Sequence, residues 1–443
     1  MNTICAISTP YGSGGIAVVR VSGESAIAIV DQLFHGRKPL SEAKAYTVHY
    51  GEIREANEIL DQVLVSVFRA PHSFTGEDVV EIACHGSMYI QQTLLQWLVD
   101  AGCQLAKAGE FTQRAFLNGK MDLTEAEAVA DLIAAQTKAE KDLALSQLRG
   151  GISNELATLR ERLLTITSLI ELELDFADHE ELEFADRSQL NELAEEIDAK
   201  IGRLVTSFKT GNAIKHGIPV AIIGAPNVGK STLLNALLGE ERAIVSDIQG
   251  TTRDTIEDTL VLGGMLFRFI DTAGLRQTDD TIESMGIERS RQAAHKAAVI
   301  IHLLDASQPI DTLAELNEIS DKKIIHVYNK VDLTPSFETK EGTIAISAKS
   351  GSIDHLREEL VAFAAEQCHI RNAVTISNTR HYEALVRAQE AIRRVQDGLQ
   401  MQISGEFLSM DLQDCLTALG EITGKISSQE VLNNIFSKFC IGK

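Results

Sequence analysis

The sequence predicts a multidomain chain: an α+β N-terminal domain, then an all-α helical domain into which an α/β domain of the P-loop type is inserted. Three observations predict it. β-Branched runs dominate residues 1–118, Leu- and Ala-rich helical texture fills 119–212 and returns over 373–443, and between these, over 217–367, apolar strands alternate with amphipathic helices. At 443 residues the chain is too long for one ordinary core, and typical domain sizes give roughly three.

In the first part, GGIAVVRVSG, DQVLVSVFRA and DVVEIACHG read as strands and SMYIQQTLLQWLVDAG as a helix. Gly12, Gly14 and Ala17 match a dinucleotide fingerprint, but that fingerprint requires a helix to follow, and IAVVRVSG is strand-like. The match is therefore set aside as a dinucleotide site. The stretch DLTEAEAVADLIAAQTKAEKDLALSQLRGG is expected to form one long helix, opened by a capping box of Asp122 with Glu125 and closed on paired glycines. Near the other end, Leu385, Ala388, Ile392 and Val395 fall at three- and four-residue steps and form one apolar face. Glu171 to Asp186 carries eight acids and no Lys or Arg, read as a solvated face or loop.

Lys plus Arg is 41 against 63 Asp plus Glu, a formal charge of −22, which disfavours wholesale attraction to phosphate backbones. Nucleic acid must then meet a local basic patch or a partner. The N-terminus MNTICAISTP has neither a basic flank nor a long apolar stretch, and no run is long enough to cross a bilayer, so the expected location is cytoplasmic. Six cysteines without C-x-x-C spacing argue against a zinc site and a disulfide framework, and Cys84-His85 lacks further ligands at metal spacing. The terminal CIGK places Cys440 where a prenylation signal would, but Lys443 is the wrong last residue for one.

The inserted part carries the chemistry. VAIIGAPNVGKS is a strand followed by Gly224-x-x-x-x-Gly229-Lys230-Ser231 and a helix, the context in which backbone N–H groups cradle phosphate, Lys230 reaches the β/γ-phosphates and Ser231 binds Mg²⁺. FRFIDTAGL places Asp271 at a strand end with Gly274 beside the γ-phosphate position, and GTTRD offers Thr251 or Thr252 to the metal. Asn329-Lys330-x-Asp332 ends another strand; a carboxylate there accepts both N–H groups of a guanine edge and finds no such pair on adenine. SAK (Ser347, Ala348, Lys349) packs on the same base. The order of motifs resembles translation-factor-type GTPases. The expected GTP-binding set is Asn227, Val228, Gly229, Lys230, Ser231, Thr232, Ser246, Asp247, Ile248, Gln249, Gly250, Thr251, Thr252, Asp271, Thr272, Ala273, Gly274, Asn329, Lys330, Asp332, Ser347, Ala348 and Lys349. Leu275 follows D-x-x-G and cannot polarise water. By charge, Glu283 is the best candidate to position it, with a solvated helix acid as the alternative reading. A monovalent cation could supply positive charge if Asn227 lent its side-chain oxygen.

GAPNVGKS, GTTRD and DTAGLR…IESMGIER, taken with GSGGIAVVRVSG, SFTGEDVVEIACHG, GEFTQRAFLNGKMDLTEAEAVADLI and FCIGK, closely resemble the MnmE (TrmE) family of tRNA uridine-modification GTPases over essentially the whole chain. The resemblance implies a tetrahydrofolate-binding and dimerising domain at 1–118, a helical domain from 119–212 and 373–443, and a G domain at 217–367. It implies a homodimer that works with MnmG (GidA), an FAD- and NADH-using partner, in a heterotetramer or larger complex. Together they build an aminomethyl or carboxymethylaminomethyl group on C5 of the wobble uridine of certain tRNAs. Carried over, it implies folate bound by Arg20, Glu81, Lys120 and Lys443, as a 5,10-methylene or 5-formyl species. It also implies K⁺ held by Asn227, Ser246, Ile248 and Thr251, Mg²⁺ held by Ser231 and Thr252, Glu283 as the hydrolytic acid and Cys440 as a functional thiol. Ser246 stands where Thr is familiar, CHGS replaces C-H-G-G, and Ala177 takes a position where Pro is common. Two rival readings are a ribosome-assembly GTPase that performs no chemistry on RNA and a folate-binding scaffold whose GTPase gates a partner. No KH-type G-x-x-G loop or basic tail supports the first.

Overall fold

The computed structural model describes residues 2–56, 58–175, 187–239, 258–270, 291–308, 322–334, 337–367 and 374–442. By packing, the chain divides into two compact units, one of residues 1–130, 147–174 and 405–443, the other of 131–146 and 175–404.

In the first unit, strands β1 (Ile4–Ile7), β2 (Ile16–Ser22), β3 (Phe34–Gly36), β4 (Thr47–Glu55), β5 (Glu58–Phe68), β6 (Val79–His85) and β7 (Gln104–Leu105) form one sheet in the order β3-β4-β5-β6-β2-β1-β7. All pairings are antiparallel except β1 with β7. The strict alternation of β2 sets its two faces. Ala17, Val19 and Val21 go into a core with residues of helices α1 (Ala26–Leu33) and α2 (Met88–Asp100). Arg20 takes the other face, where Ile4, Ala6 and Ala106 pack with Phe111 of α3 (Glu110–Leu117) and with Phe74. Because β2 starts at Ile16, the glycine run before it opens a strand and not a helix, as expected.

The expected single helix after Asp122 is two: α4 (Leu123–Ala134) and α5 (Lys138–Leu148). The first capping box forms, with Asp122 N–H donating to Glu125 at 2.8 Å and Glu125 N–H to Asp122 at 2.9 Å. A second N-terminal cap, at Thr137, interrupts the pattern. Glu140 N–H donates to Thr137 Oγ1 at 3.1 Å and Gln136 N–H to Glu140 at 2.6 Å, so the chain restarts a helix where the periodicity alone runs on. Helix α6 (Gly151–Asp175) follows.

In the second unit, α7 (Arg187–His216) leads into β8 (Ile218–Ile223), α8 (Lys230–Leu238), β9 (Asp258–Leu262), β10 (Met265–Phe269), β11 (Val299–Asp305), β12 (Lys323–Asn329), β13 (Thr343–Ala345) and α9 (Asp354–Gln367). The sheet order is β13-β12-β11-β8-β10-β9, parallel except for the β9–β10 hairpin. Near-continuous apolar strands such as VIIHLL fit a sheet covered on both faces, and two core clusters line it. Helix α10 (Thr379–Gln400) lies on α7: Leu385, Ala388, Ile392 and Val395 are fully buried, and Tyr382 stacks on Phe208 with ring centroids 4.4 Å apart. Helices α11 (Gly405–Thr423) and α12 (Gln429–Phe436) belong to the first unit. Among the described residues, no helix is long and apolar enough to cross a membrane.

Candidate functional site

Parallel strands β8, β11 and β12 end together, where a sheet of this kind gathers its loops. β8 runs into Gly224, and Gly229 caps α8 in a left-handed conformation, φ +100°. A Cβ at Gly229 would collide with the Asn329 amide, so only glycine lets the loop close there. The Lys230 ammonium donates to the carbonyls of Gly224 and Ala225 at 2.8 and 2.9 Å. Burial lowers its pKa, an effect that a phosphate in the loop would reverse by supplying negative charge.

The base-recognition segment is fastened to this loop. Asn329 Nδ2 donates to Val228 O at 2.9 Å, and its Oδ1 accepts from Ala348 N–H at 3.0 Å. Lys330, at φ +66°, donates from Nζ to Asn227 O at 2.8 Å and to Asp305 Oδ2 at 2.7 Å. Asp332 is exposed and is steadied by Ser347 Oγ, which donates to its Oδ1 at 2.7 Å. An exposed, oriented carboxylate is the donor-accepting edge that a guanine requires. Asn227 itself sits at φ +60°, uncommon for a residue with a side chain. The structure thus brings together Asn227, Val228, Gly229, Lys230, Asn329, Lys330, Asp332, Ser347 and Ala348; Ser231 and Thr232 open α8, and Lys349 follows Ala348. Ser246, Asp247, Ile248, Gln249, Gly250, Thr251, Thr252, Asp271, Thr272, Ala273, Gly274 and Glu283 lie outside the described residues.

The first unit holds the other polar centre. Arg20 and Glu81 are directly opposed on β2 and β6 and bond through Arg20 Nη2 at 2.8 Å and Nε at 2.9 Å. The guanidinium lies 5.4 Å from the Phe74 ring centroid and 5.5 Å from that of Phe111, contacts that favour a cation. Behind it, buried Arg114 binds Glu77 at 3.2 Å and Glu110 at 3.0 Å. Lys120 is exposed and donates to Pro71 O at 3.0 Å. The Arg20 fork is engaged by Glu81, whose carboxylate is the more exposed of the pair.

The C-terminal segment is fixed to this same unit. Phe439 is buried against Phe436, Gly109 N–H donates to Cys440 O at 3.4 Å, and Ser8 Oγ donates to Gly442 O at 3.2 Å. Ser8 lies two residues beyond Ala6, the residue paired with Arg20. The Cys440 side chain is exposed while its backbone is held, whereas Cys5, Cys84, Cys103 and Cys415 are buried. Cys84 Sγ points at Ala17 O, and burial, with Asp61 adding to it, pushes its pKa up to about 11. His85 is held by Asp61 at 2.7 Å. Cys368 and Lys443 lie outside the described residues.

Sequence reasoning missed Asp305, Phe74 and Phe111. Asp305 had one readable signal, its place at the C-terminal end of a parallel strand; the two phenylalanines meet Arg20 only through the fold.

The description "GTP-binding protein TrmE N-terminus" matches residues 3–120, and "MnmE helical domain" matches 123–440. A protein of Parabacteroides distasonis named tRNA modification GTPase MnmE is 55% identical over 462 residues, covering 100% of both chains. One of the same name from Flavobacterium johnsoniae is 49% identical, covering 100% of this chain and 99% of its own. Among solved structures, the G domain of the T. maritima FeoB iron transporter aligns at 25% identity over 33% of this chain and 98% of its own. Its TM-score of 0.26 is too low to carry a conclusion. The full-length identity and the two domain matches, joined to a guanine-type loop set in one unit and a held terminal cysteine in the other, place the chain in the family of tRNA modification GTPases named MnmE.

Proposed function

We propose that GTP hydrolysis in the second unit serves addition of an aminomethyl or carboxymethylaminomethyl group to C5 of the wobble uridine of tRNA. The one-carbon unit comes from a tetrahydrofolate, 5,10-methylene or 5-formyl, and an FAD- and NADH-using partner of the MnmG type completes the complex in the cytoplasm. The observation that carries this reading is the terminal segment: an exposed thiol whose backbone is fastened to the unit holding Arg20 and Glu81.

In this reading Lys230 leaves its two loop carbonyls for the phosphates, Asp332 reads the guanine edge, and Glu283 positions the attacking water. Ser231 and Thr252 hold Mg²⁺, while Asn227, Ser246, Ile248 and Thr251 hold K⁺. When bound, these cations supply positive charge against the phosphate oxygens. Asn227 already has its backbone carbonyl engaged by Lys330, which leaves its side-chain oxygen for an ion. Arg20, Glu81, Lys120 and Lys443 hold the folate, with Arg20 fixed between Phe74 and Phe111.

Two measurements test it. GTP turnover of the purified protein is expected to be faster in K⁺ than in Na⁺; equal slow rates in both salts would remove the cation. Mass spectrometry of tRNA nucleosides from a deletion strain is expected to show the wobble-uridine side group missing. Unchanged tRNA with defective ribosomal subunits would favour the ribosome-assembly reading.

A further inference from the structure

The acid Asp305 closes a chain of contacts that the guanine-recognition motif does not itself include. It ends β11 directly opposite Asn329 in the parallel register, and Ala306 N–H donates to Asn329 O at 3.0 Å. Its side chain is 8% exposed. One oxygen accepts from Ser307 N–H at 2.9 Å and Ser307 Oγ at 2.6 Å; the other accepts from Lys330 Nζ at 2.7 Å. Burial alone would raise its pKa, but the bonds from Lys330 and Ser307 hold the carboxyl below the usual range, so it is ionised at neutral pH. Lys330 Nζ has its other bond on Asn227 O.

We propose that Asp305 is a positioning residue for Lys330: its carboxylate holds the ammonium against the Asn227 carbonyl, so that the base-recognition segment and the phosphate loop move as one body. Lys330 stands in a left-handed backbone conformation that a flexible side chain does not enforce. The carboxylate supplies the enforcement, because an ammonium with one fixed anionic partner has few ways left to point. Asn227, also left-handed, is thereby kept at the orientation in which its side chain can serve an ion. The nucleotide-grip part stands on the contacts alone; the cation part rests on the reading of Asn227 as a K⁺ ligand.

Asp305→Asn keeps the shape and the Ser307 contacts while removing the charge. Dissociation of a fluorescent GDP analogue is expected to quicken about tenfold, the usual consequence of losing one charge-assisted hydrogen bond. The half-saturating K⁺ concentration for GTP hydrolysis is expected to rise, and Asp305→Glu to restore most of both effects. The preference for GTP over ITP stays as in the wild type, since Asp332 reads the 2-amino group. Unchanged GDP dissociation in Asp305→Asn overturns the proposal, and so does an equal loss in Asp305→Glu with lowered helical circular dichroism in both variants, which marks a folding role. Equal wild-type rates in Na⁺ and K⁺ strike the cation reading alone, because the dissociation measurement, made in either salt, still decides Asp305.

Discussion

In the proposed reading base choice rests on Asp332, whose exposed carboxylate accepts a hydrogen bond from Ser347 Oγ at 2.7 Å. Two acceptor oxygens match the two N–H donors of guanine, and an amide offers one acceptor and one mismatched donor. Asp332→Asn should therefore cost about 1–3 kcal/mol in GTP affinity and shift preference toward xanthosine triphosphate, which presents a carbonyl where guanine has its amine. Competition binding of the two nucleotides measures this; retained preference for GTP would mean that Asp332 does not meet the base. Cys440 is a different case, since the residue is exposed while its backbone carbonyl accepts from Gly109 N–H. Cys440→Ser is expected to leave GTP hydrolysis intact and to abolish tRNA modification, scored by nucleoside mass spectrometry on reconstituted complex. Parallel loss of both activities would point to a structural cysteine.

Within elements, alternation made the strands of the first unit readable and the four-residue steps made α10 readable, because one buried face imposes its period on the residues that fill it. The break between α4 and α5 was missed because Thr137 and Glu140 form a cap inside a stretch whose composition favours helix throughout. Asp305 was missed for another reason: an acid at a strand end is common, and only the register of β11 with β12 puts it under Lys330. The same register sets His302 against His326, with Nδ1 atoms 3.0 Å apart and His302 5% exposed. Burial, then the neighbouring imidazole, lowers the His302 pKa from 6.5 to about 4. The unfolded chain then takes up a proton that the folded one refuses, so His302 costs nothing above pH 6.5 and stability falls as pH drops from there toward 4. The loss attributable to this group between pH 7.5 and pH 5 is about 2 kcal/mol. Urea denaturation at the two pH values should show His302→Asn losing correspondingly less stability than the wild type; parallel losses would mean that His302 is protonated in the fold.

Over the whole molecule, a formal charge of −22 makes like chains repel, so self-association needs a surface, such as an apolar one, that outweighs the repulsion. The first unit offers such a surface on β4 and β5 of its sheet. Val48, Tyr50 and Leu64 are 62%, 64% and 49% exposed, and Tyr50 is the cross-strand partner of Leu64. Their face continues through Ala83 of β6, which pairs with Leu64 on one side and with Val18 of β2 on the other, and Val18 leads along its strand to Arg20. A second copy is the occupant that the homodimer reading requires. In a two-fold contact each residue near the axis meets its own symmetry mate, so one substitution places two like charges together. Leu64→Asp should weaken the dimer about a hundredfold or more, since opposed like charges at an interface cost several kcal/mol. Sedimentation equilibrium is expected to give a dimer for the wild type and a monomer for Leu64→Asp, with unchanged circular dichroism and unchanged GDP binding, because the nucleotide loops belong to the other unit. A wild-type monomer at micromolar concentration would end the homodimer reading, and a Leu64→Asp dimer would move the interface off this sheet.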